Sequence, residues 1–186
     1  MSSTPHFIIR TGWLYDSEGS NFFNTMRKLA TQESINVVDD QFGTPTWAGS
    51  LALSIRALLK SDLNSGIYHF SDKGCVSWFG FAKEIFSQLG LSPNLNPISS
   101  SNYPTAAKRP ENSHLGGAEF ATSLGVERLN WKQSLAQCVD EFVLWDRVKK
   151  LAEEWTQVPY DEEIRSIVRT WLEEDNREEL IECFHM

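Results

Sequence analysis

The sequence predicts an α/β fold: the second half of an α/β domain with ligand-facing loops, followed by an acidic helical appendage. Three observations carry this. Short apolar runs rich in β-branched and aromatic residues, around Phe7-Ile8-Ile9, Ile35 to Val38 and Ile67 to Phe70, have the length and make-up of strands. Between them lie segments whose apolar residues recur at helical spacing. The charge then breaks late in the chain: residues 1–139 hold 11 acidic and 11 basic side chains, and residues 140–186 hold 14 acidic and 6 basic. The whole net charge of −8 thus sits in the last quarter, which points to two segments of different origin, residues 1–146 and 147–186.

Taken in order, His6 to Thr11 reads as a strand entering the core almost at once. Buried parallel strands need neighbours on both sides, and here only downstream ones exist. Gly12 to Tyr15 leaves that strand, Gly19-Ser20-Asn21 makes a turn, and Phe22, Met26 and Leu29-Ala30 mark a helical face. Ile35 and Val37-Val38 form a strand buried on both faces. A polar loop follows, punctuated by Gly43 and Pro45. Thr46 is placed to cap the next helix, whose apolar face is Trp47, Leu51, Ile55 and Leu58-Leu59. Gly66 to Ser71 is another strand. Ser77 caps a helix carrying Phe79, Ala82, Ile85-Phe86 and Leu89, and Gly90 ends it. A connector rich in Pro, Ser and Asn runs from Ser92 to Pro104 and encloses a short apolar piece near Pro97-Ile98. Leu115 to Leu124 reads as a short helix, and Trp131, Leu135, Cys138-Val139 and Phe142 as a final amphipathic one running into Leu144-Trp145.

The loop after Val38 concentrates polar groups: Asp39, Asp40, Gln41, Thr44 and Thr46 within eight residues. Ligands of open α/β sheets bind where strands end and loops begin. Two readings stand: a ligand-contacting loop, or a turn whose polar groups satisfy one another and the following helix. Trp13, at a strand end, is either a core aromatic or a face on which a sugar or base packs. Lys108 and Arg109, adjacent on a Pro-stiffened segment, suit a diphosphate, Arg by its bidentate fork and Lys as a point charge; a solvated basic loop is the alternative.

Composition excludes several classes. No apolar run approaches the eighteen or so residues of a membrane span, and no basic patch interleaved with aromatics suggests nucleic acid. Three widely spaced cysteines (Cys75, Cys138, Cys183), with no CxxC and no His pair at metal spacing, fit a reducing, cytoplasmic compartment and argue against a structural zinc. There is no GxGxxG, no P-loop and no Tyr-x-x-x-Lys. By themselves the residues support a ligand-binding half domain and name no chemistry.

Several motifs in order name a family. Arg10-Thr11-Gly12-Trp13-Leu14-Tyr15, Asn21-Phe22, Val38-Asp39-Asp40-Gln41-Phe42-Gly43-Thr44-Pro45-Thr46, Gly66-Ile67-Tyr68-His69-Phe70, Ser77-Trp78-Phe79-Gly80-Phe81-Ala82 and Ala107-Lys108-Arg109-Pro110-Glu111-Asn112-Ser113 closely resemble the C-terminal half of dTDP-4-dehydrorhamnose reductase. That is an extended short-chain dehydrogenase, and the resemblance spans about residues 6–142. It implies the substrate-binding half of a Rossmann-like domain whose cofactor-binding half is absent from this chain. The family reduces a 4-keto dTDP-sugar with NADPH or NADH in making dTDP-L-rhamnose for surface polysaccharide. Its Gly-rich cofactor loop and Tyr-x-x-x-Lys pair lie upstream of the resemblance, so no catalytic, cofactor-binding or metal-binding residue carries over. What carries over is the substrate side: Trp13, then Gln41, Thr44 and Thr46 of the DQ-x-G-x-P-T loop, then Lys108 and Arg109. Gly12 stands where the family often has Ser.

The tail has its own resemblance. Val148 to Trp155, Tyr160 to Arg165 and Leu180 to Phe184 look like the start of a phosphoglucomutase or phosphomannomutase, stopping short of that family's phosphorylated serine. Ile164, Val168, Trp171-Leu172 and Leu180-Ile181 make amphipathic helices with acidic outer faces. The expectation is a gene fragment or fusion joined near Trp145-Asp146, inactive alone, whose stripped strand at residues 6–11 makes it self-associate unless a complementary N-terminal half or a second copy covers it. Two other classes remain open: a non-catalytic nucleotide-sugar-binding or regulatory module, and a helical interaction adaptor working through its tail.

Overall fold

The computed structural model describes residues 6–156, with side chains to residue 150. In chain order the elements are β1 (Phe7–Arg10), β2 (Leu14–Tyr15), α1 (Phe22–Leu29), β3 (Ile35–Val38), β4 (Phe42–Gly43), β5 (Thr46–Trp47), α2 (Ala48–Leu58), β6 (Gly66–His69), β7 (Val76–Ser77), α3 (Trp78–Gln88), β8 (Leu95–Ile98), a 3-10 turn at Ser100–Asn102, α4 (Ala118–Ser123) and α5 (Trp131–Thr156). The chain divides into two compact units, residues 1–142 and 143–186. Of the tail, Val148 to Trp155 falls within α5, while the segments from Tyr160 onward lie outside the described residues.

The strands pair two by two. β1 runs parallel to β6, β3 parallel to β8 and β2 parallel to β5, while β4 runs antiparallel to β7. The mixture of α and β elements bears out the expected fold class, and the short piece near Pro97-Ile98 is a full partner strand for β3. β1 enters the core by one face only. β1 alternates: Phe7 and Ile9 pack inward with Leu58, Phe70 and Phe120, while Ile8 is 49% exposed. Its neighbour in register, Ile67 of β6, is 53% exposed, so the two make an apolar outer face. In β3, where burial on both faces was expected, the consecutive residues Val37 and Val38 point to opposite faces and are both buried, while Asn36 turns outward.

A larger core gathers Tyr15, Phe23, Met26, Ile35, Val37, Phe81, Ile85, Trp131 and Leu135. It sits where α1 and α3 cover β3 and where the start of α5 closes over them. Local chemistry sets the helix ends. Asn21 caps α1 through Asn24 N–H, and Ser77 caps α3 through Gly80 N–H, as its position suggested. Gly90 takes φ +67°, and the chain leaves α3 by Gly90 N–H to Ser87 O and Leu91 N–H to Phe86 O, a left-handed exit that suits glycine.

Two expectations about helix starts do not hold. Thr46 is not the cap of α2. It lies in β5 with no exposed surface, and the residue preceding the helix is Trp47, which makes no side-chain cap. Asp72, 25 positions further on, accepts the Trp47 N–H at 3.1 Å instead. The helix expected over Leu115–Leu124 begins only at Ala118, because Gly117 is pressed against the β6 exit: a Cβ there would stand 2.8 Å from Ser71 N.

Asp72 has no exposed surface. The residues around it converge on one short loop. Arg128 donates to Ser71 O at 2.6 Å and to Asp72 O at 2.9 Å, Ser71 Oγ donates to Leu115 O, and Lys73 exchanges backbone hydrogen bonds with Leu129 and Trp131. Burial pushes the Asp72 carboxyl above its ordinary value of 3.8, opposed by the Trp47 N–H, the nearby hydroxyls of Ser134 and Ser50, and the charge of Arg128. Neither hydroxyl reaches hydrogen-bond geometry with Oδ1, which has no partner among the described residues. A carboxyl whose pKa is raised on folding binds more protons folded than unfolded, so it favours the fold at low pH and loses that contribution as pH climbs from 3.8 through the raised value. In urea melts, Asp72→Asn will flatten that decline relative to the parent. Asp72→Ala, which strands the Trp47 N–H and leaves Arg128 uncompensated, will cost about 1–3 kcal/mol at neutral pH.

Candidate functional site

The loop joining β3 to α2 carries the polar run singled out in the sequence, and its hydrogen bonds show which of those groups are spoken for. Asp39 accepts the Ser77 hydroxyl at 2.5 Å, tying the loop to the start of α3. Asp40 accepts Ser99 Oγ and both Ser100 N–H and Ser100 Oγ, capping the 3-10 turn. The Ser100 N–H and Ser99 hydroxyl hold its carboxyl below the usual carboxylate range. Thr44 is 2% exposed and its hydroxyl lies 2.6 Å from Gly74 O and 2.6 Å from His114 Nδ1. Thr46, fully buried, donates weakly to Thr44 O. Of the five polar residues singled out in this loop, only Gln41 makes no hydrogen bond among the described residues, and it is half-buried at the surface. The satisfied-turn reading therefore describes Asp39, Asp40, Thr44 and Thr46, and the ligand-facing reading survives for Gln41.

Trp13 sits over this loop. Its backbone has φ +50°, the left-handed region that a bulky residue enters at a cost of about 1–3 kcal/mol. Three contacts hold it there. Its carbonyl accepts Thr46 N–H at 3.1 Å, its indole N–H donates to Ser113 Oγ at 2.9 Å, and its ring stacks on Trp78 with centroids 3.5 Å apart and planes 6° from parallel. Trp78 packs in turn on Phe22, centroid to centroid 4.6 Å. The indole also fills the space above Gly43, where a Cβ would collide with Trp13 Cε2. With its N–H and one face committed, a half-buried Trp13 offers a ligand only the remaining surface of its ring.

The segment after Pro110 is zipped onto the same loop. Phe42 N–H donates to Glu111 O, and Phe42 O accepts Ser113 N–H at 2.8 Å, so Phe42 is bonded by β7 on one side and by residues 111–113 on the other. Asn112 Oδ1 accepts His114 N–H. The structure thus brings Trp13 together with Ser113 and Thr44 together with His114, and Gln41 directly precedes the Phe42 that Ser113 bonds. Lys108 and Arg109 precede this clamp by three and two positions on a fully exposed stretch, with no ion-pair partner among the described residues. Sequence reasoning missed Ser113, His114 and Trp78 as parts of the site. Trp78 and Ser113 lie inside the motifs that carry the resemblance and His114 directly follows one, but their pairing with Trp13 and Thr44 spans 65 to 100 positions, beyond any local pattern.

Among the described residues no cluster of His, Cys, Asp or Glu could hold a metal ion, and no helix is long and apolar enough to cross a membrane. A dinucleotide does not fit these residues either. Pyrophosphates sit on free N–H groups at a helix start. Here Asn21 caps α1, Ser77 caps α3, and a buried carboxylate, Asp72, occupies the start of α2, where it would repel a phosphate.

The contact between Gly43 and Trp13 sets a test of this geometry. Gly43→Ala will push the indole off Ser113 and Trp78, lowering stability by about 1–3 kcal/mol in urea melts. Unchanged stability would mean that the ring is not held where the structure has it.

Comparison with known proteins now bears on this arrangement. A family profile described as the RmlD substrate binding domain matches residues 1–144. The dTDP-4-dehydrorhamnose reductase of Sinorhizobium fredii is 37% identical over 150 residues, covering 74% of this chain and 51% of that protein. The dTDP-4-dehydrorhamnose reductase of Escherichia coli K12 is 34% identical over 147 residues, covering 73% and 49%. A crystal structure of the dTDP-4-dehydrorhamnose reductase from Bacillus anthracis in complex with NADP shares a TM-score of 0.68 at 38% identity, over 73% of this chain and 48% of that one. The chain spans about half the length of these relatives. With Trp13, the Gln41–Thr46 loop and the Glu111–His114 clamp all inside the matched residues, the chain belongs to the RmlD substrate binding domain family.

Proposed function

We propose that this chain is the nucleotide-sugar side of a dTDP-4-dehydrorhamnose reductase, the enzyme that reduces a 4-keto dTDP-sugar with NADPH or NADH. The observation that carries the proposal is the surplus left by the loop's hydrogen bonds. The Trp13 ring is braced by Ser113, Trp78 and Gly43, and Gln41, with its side chain uncommitted, stands two positions before the Gly43 on which that ring rests. In this reading Trp13 packs on the sugar, Gln41 hydrogen-bonds it, and Thr44 and Thr46 hold the loop's shape from the interior. Lys108 and Arg109 close over the diphosphate from their exposed stretch. The hydride donor and the proton-transferring pair belong to a complementary N-terminal half. That half also covers the apolar face made by Ile8 and Ile67. The cysteine usage supports a cytoplasmic site of action.

A second reading is a nucleotide-sugar-binding module without catalysis. The capped starts of α1, α2 and α3, which leave no seat for a dinucleotide, favour it for the chain on its own.

Calorimetric titration of the purified chain tests the proposal. We expect binding of dTDP-L-rhamnose, no binding of NADPH, and about two- to tenfold weaker sugar-nucleotide binding in Trp13→Ala, the range of one aromatic contact. Absence of sugar-nucleotide binding would overturn the reading. The uncovered face sets a separate expectation. By sedimentation the parent chain self-associates, and the double variant Ile8→Thr, Ile67→Thr, which keeps β-branched residues in both strands, shifts toward monomer. A parent chain that is monomeric at all concentrations would show that the face needs no cover.

A further inference from the structure

His114 has a property that follows from counting protons. The Thr44 hydroxyl has two neighbours at 2.6 Å, Gly74 O and His114 Nδ1, and a single hydrogen to give. A carbonyl oxygen can only accept, so the Thr44 proton goes to Gly74. The His114 contact must then run the other way, with Nδ1–H donating to the Thr44 oxygen. This fixes the tautomer. The neutral ring carries its proton on Nδ1, and Nε2, across the ring from Thr44, keeps a bare lone pair. The backbone is pinned on both sides of the ring. Asn112 Oδ1 takes the His114 N–H at 2.8 Å, and Ser113 is bonded to Phe42 O by its N–H and to the Trp13 indole by its hydroxyl. His114 itself is exposed.

We infer that His114 is a further ligand-contacting residue of this site, held by Thr44 so that Nε2 accepts a hydrogen bond from a hydroxyl of the bound nucleotide sugar. The inference rests on the nucleotide-sugar reading of the site and adds a specificity element to it. A lone pair selects for a donor. Sugar hydroxyls supply one, whereas the diphosphate, which at neutral pH has only acceptor oxygens, does not. The position also favours the sugar, because Ser113, the residue next to His114, holds the indole on which the sugar packs. Thr44, buried and silent toward ligand, acts through His114 as a positioning residue.

Two measurements on the full chain test this. Nitrogen-15 NMR of the imidazole at pH 8 should show a protonated, pyrrole-type Nδ1 and a pyridine-type Nε2 for His114. The variant His114→Asn can place an amide N–H where Nδ1–H was and has no atom at the Nε2 position. It should bind dTDP-L-rhamnose about two- to tenfold more weakly than the parent, the range of one neutral hydrogen bond, and bind dTDP unchanged. A protonated Nε2, an unchanged affinity for the sugar nucleotide, or an equal loss for dTDP would each overturn the role of His114 while leaving the nucleotide-sugar reading intact. Failure of the parent chain to bind either ligand would overturn both.

Discussion

A carboxylate with no exposed surface stands where four segments of this chain meet. Asp72 closes the start of α2 through the Trp47 N–H, lies next to the carbonyls gripped by Arg128, and belongs to the loop whose Gly74 carbonyl anchors Thr44. Removing a charge from water is costly unless it is compensated, and here compensation is partial: one oxygen is bonded and the other is not. That imbalance makes the loop a constraint on everything around it. α2, the α5 start and the ligand-facing loop hold their places because each contributes something the buried carboxylate or its backbone needs.

The candidate site follows by subtraction. A loop with many polar residues looks rich in binding groups, yet folding consumes most of them. Asp39 is used by α3, Asp40 by the 3-10 turn, and Thr44 by Gly74 and His114. What remains outward-facing is small: an amide side chain, part of an indole, and one imidazole nitrogen. Such sparse, fixed polar groups beside an aromatic surface are what distinguish a recognition site from a merely hydrophilic loop. Rigidity comes from behind, through the aromatic succession Trp13, Trp78, Phe22 and Phe81 that links the site to the core.

How much of this was legible in the sequence depended on range. Ser77 and Gly90 reveal their roles within four residues, so the α3 boundaries were readable. The 3.6-residue period located α1, α3 and α5 for the same reason. Thr46 shows the limit. A threonine just before a helical pattern has the chemistry of a cap, but the carboxylate that does the capping comes from 25 positions away, and Thr46 is drawn into a strand pair with Leu14 instead. The outward turn of Ile8 was equally hidden. Three apolar residues in a row say strand, and only the packing of β1 on β6 and α4 shows which faces are covered. The motif resemblance reached further than local chemistry because it carries long-range pairing implicitly. Even so it named Thr44 and passed over His114, which is the exposed end of the same hydrogen bond.

The stacked pair of Trp13 and Trp78 has a consequence of a different kind. Two indoles in near-parallel contact share their electronic excitation, so their absorption and emission differ from those of the chain's other tryptophans. One of the pair is the ring on which a sugar would rest, and the other is fastened to the first turn of α3. Any rearrangement of the loop, by ligand, temperature or denaturant, must change that shared excitation. The protein thereby carries an intrinsic optical gauge located at its candidate site, read without label or substitution.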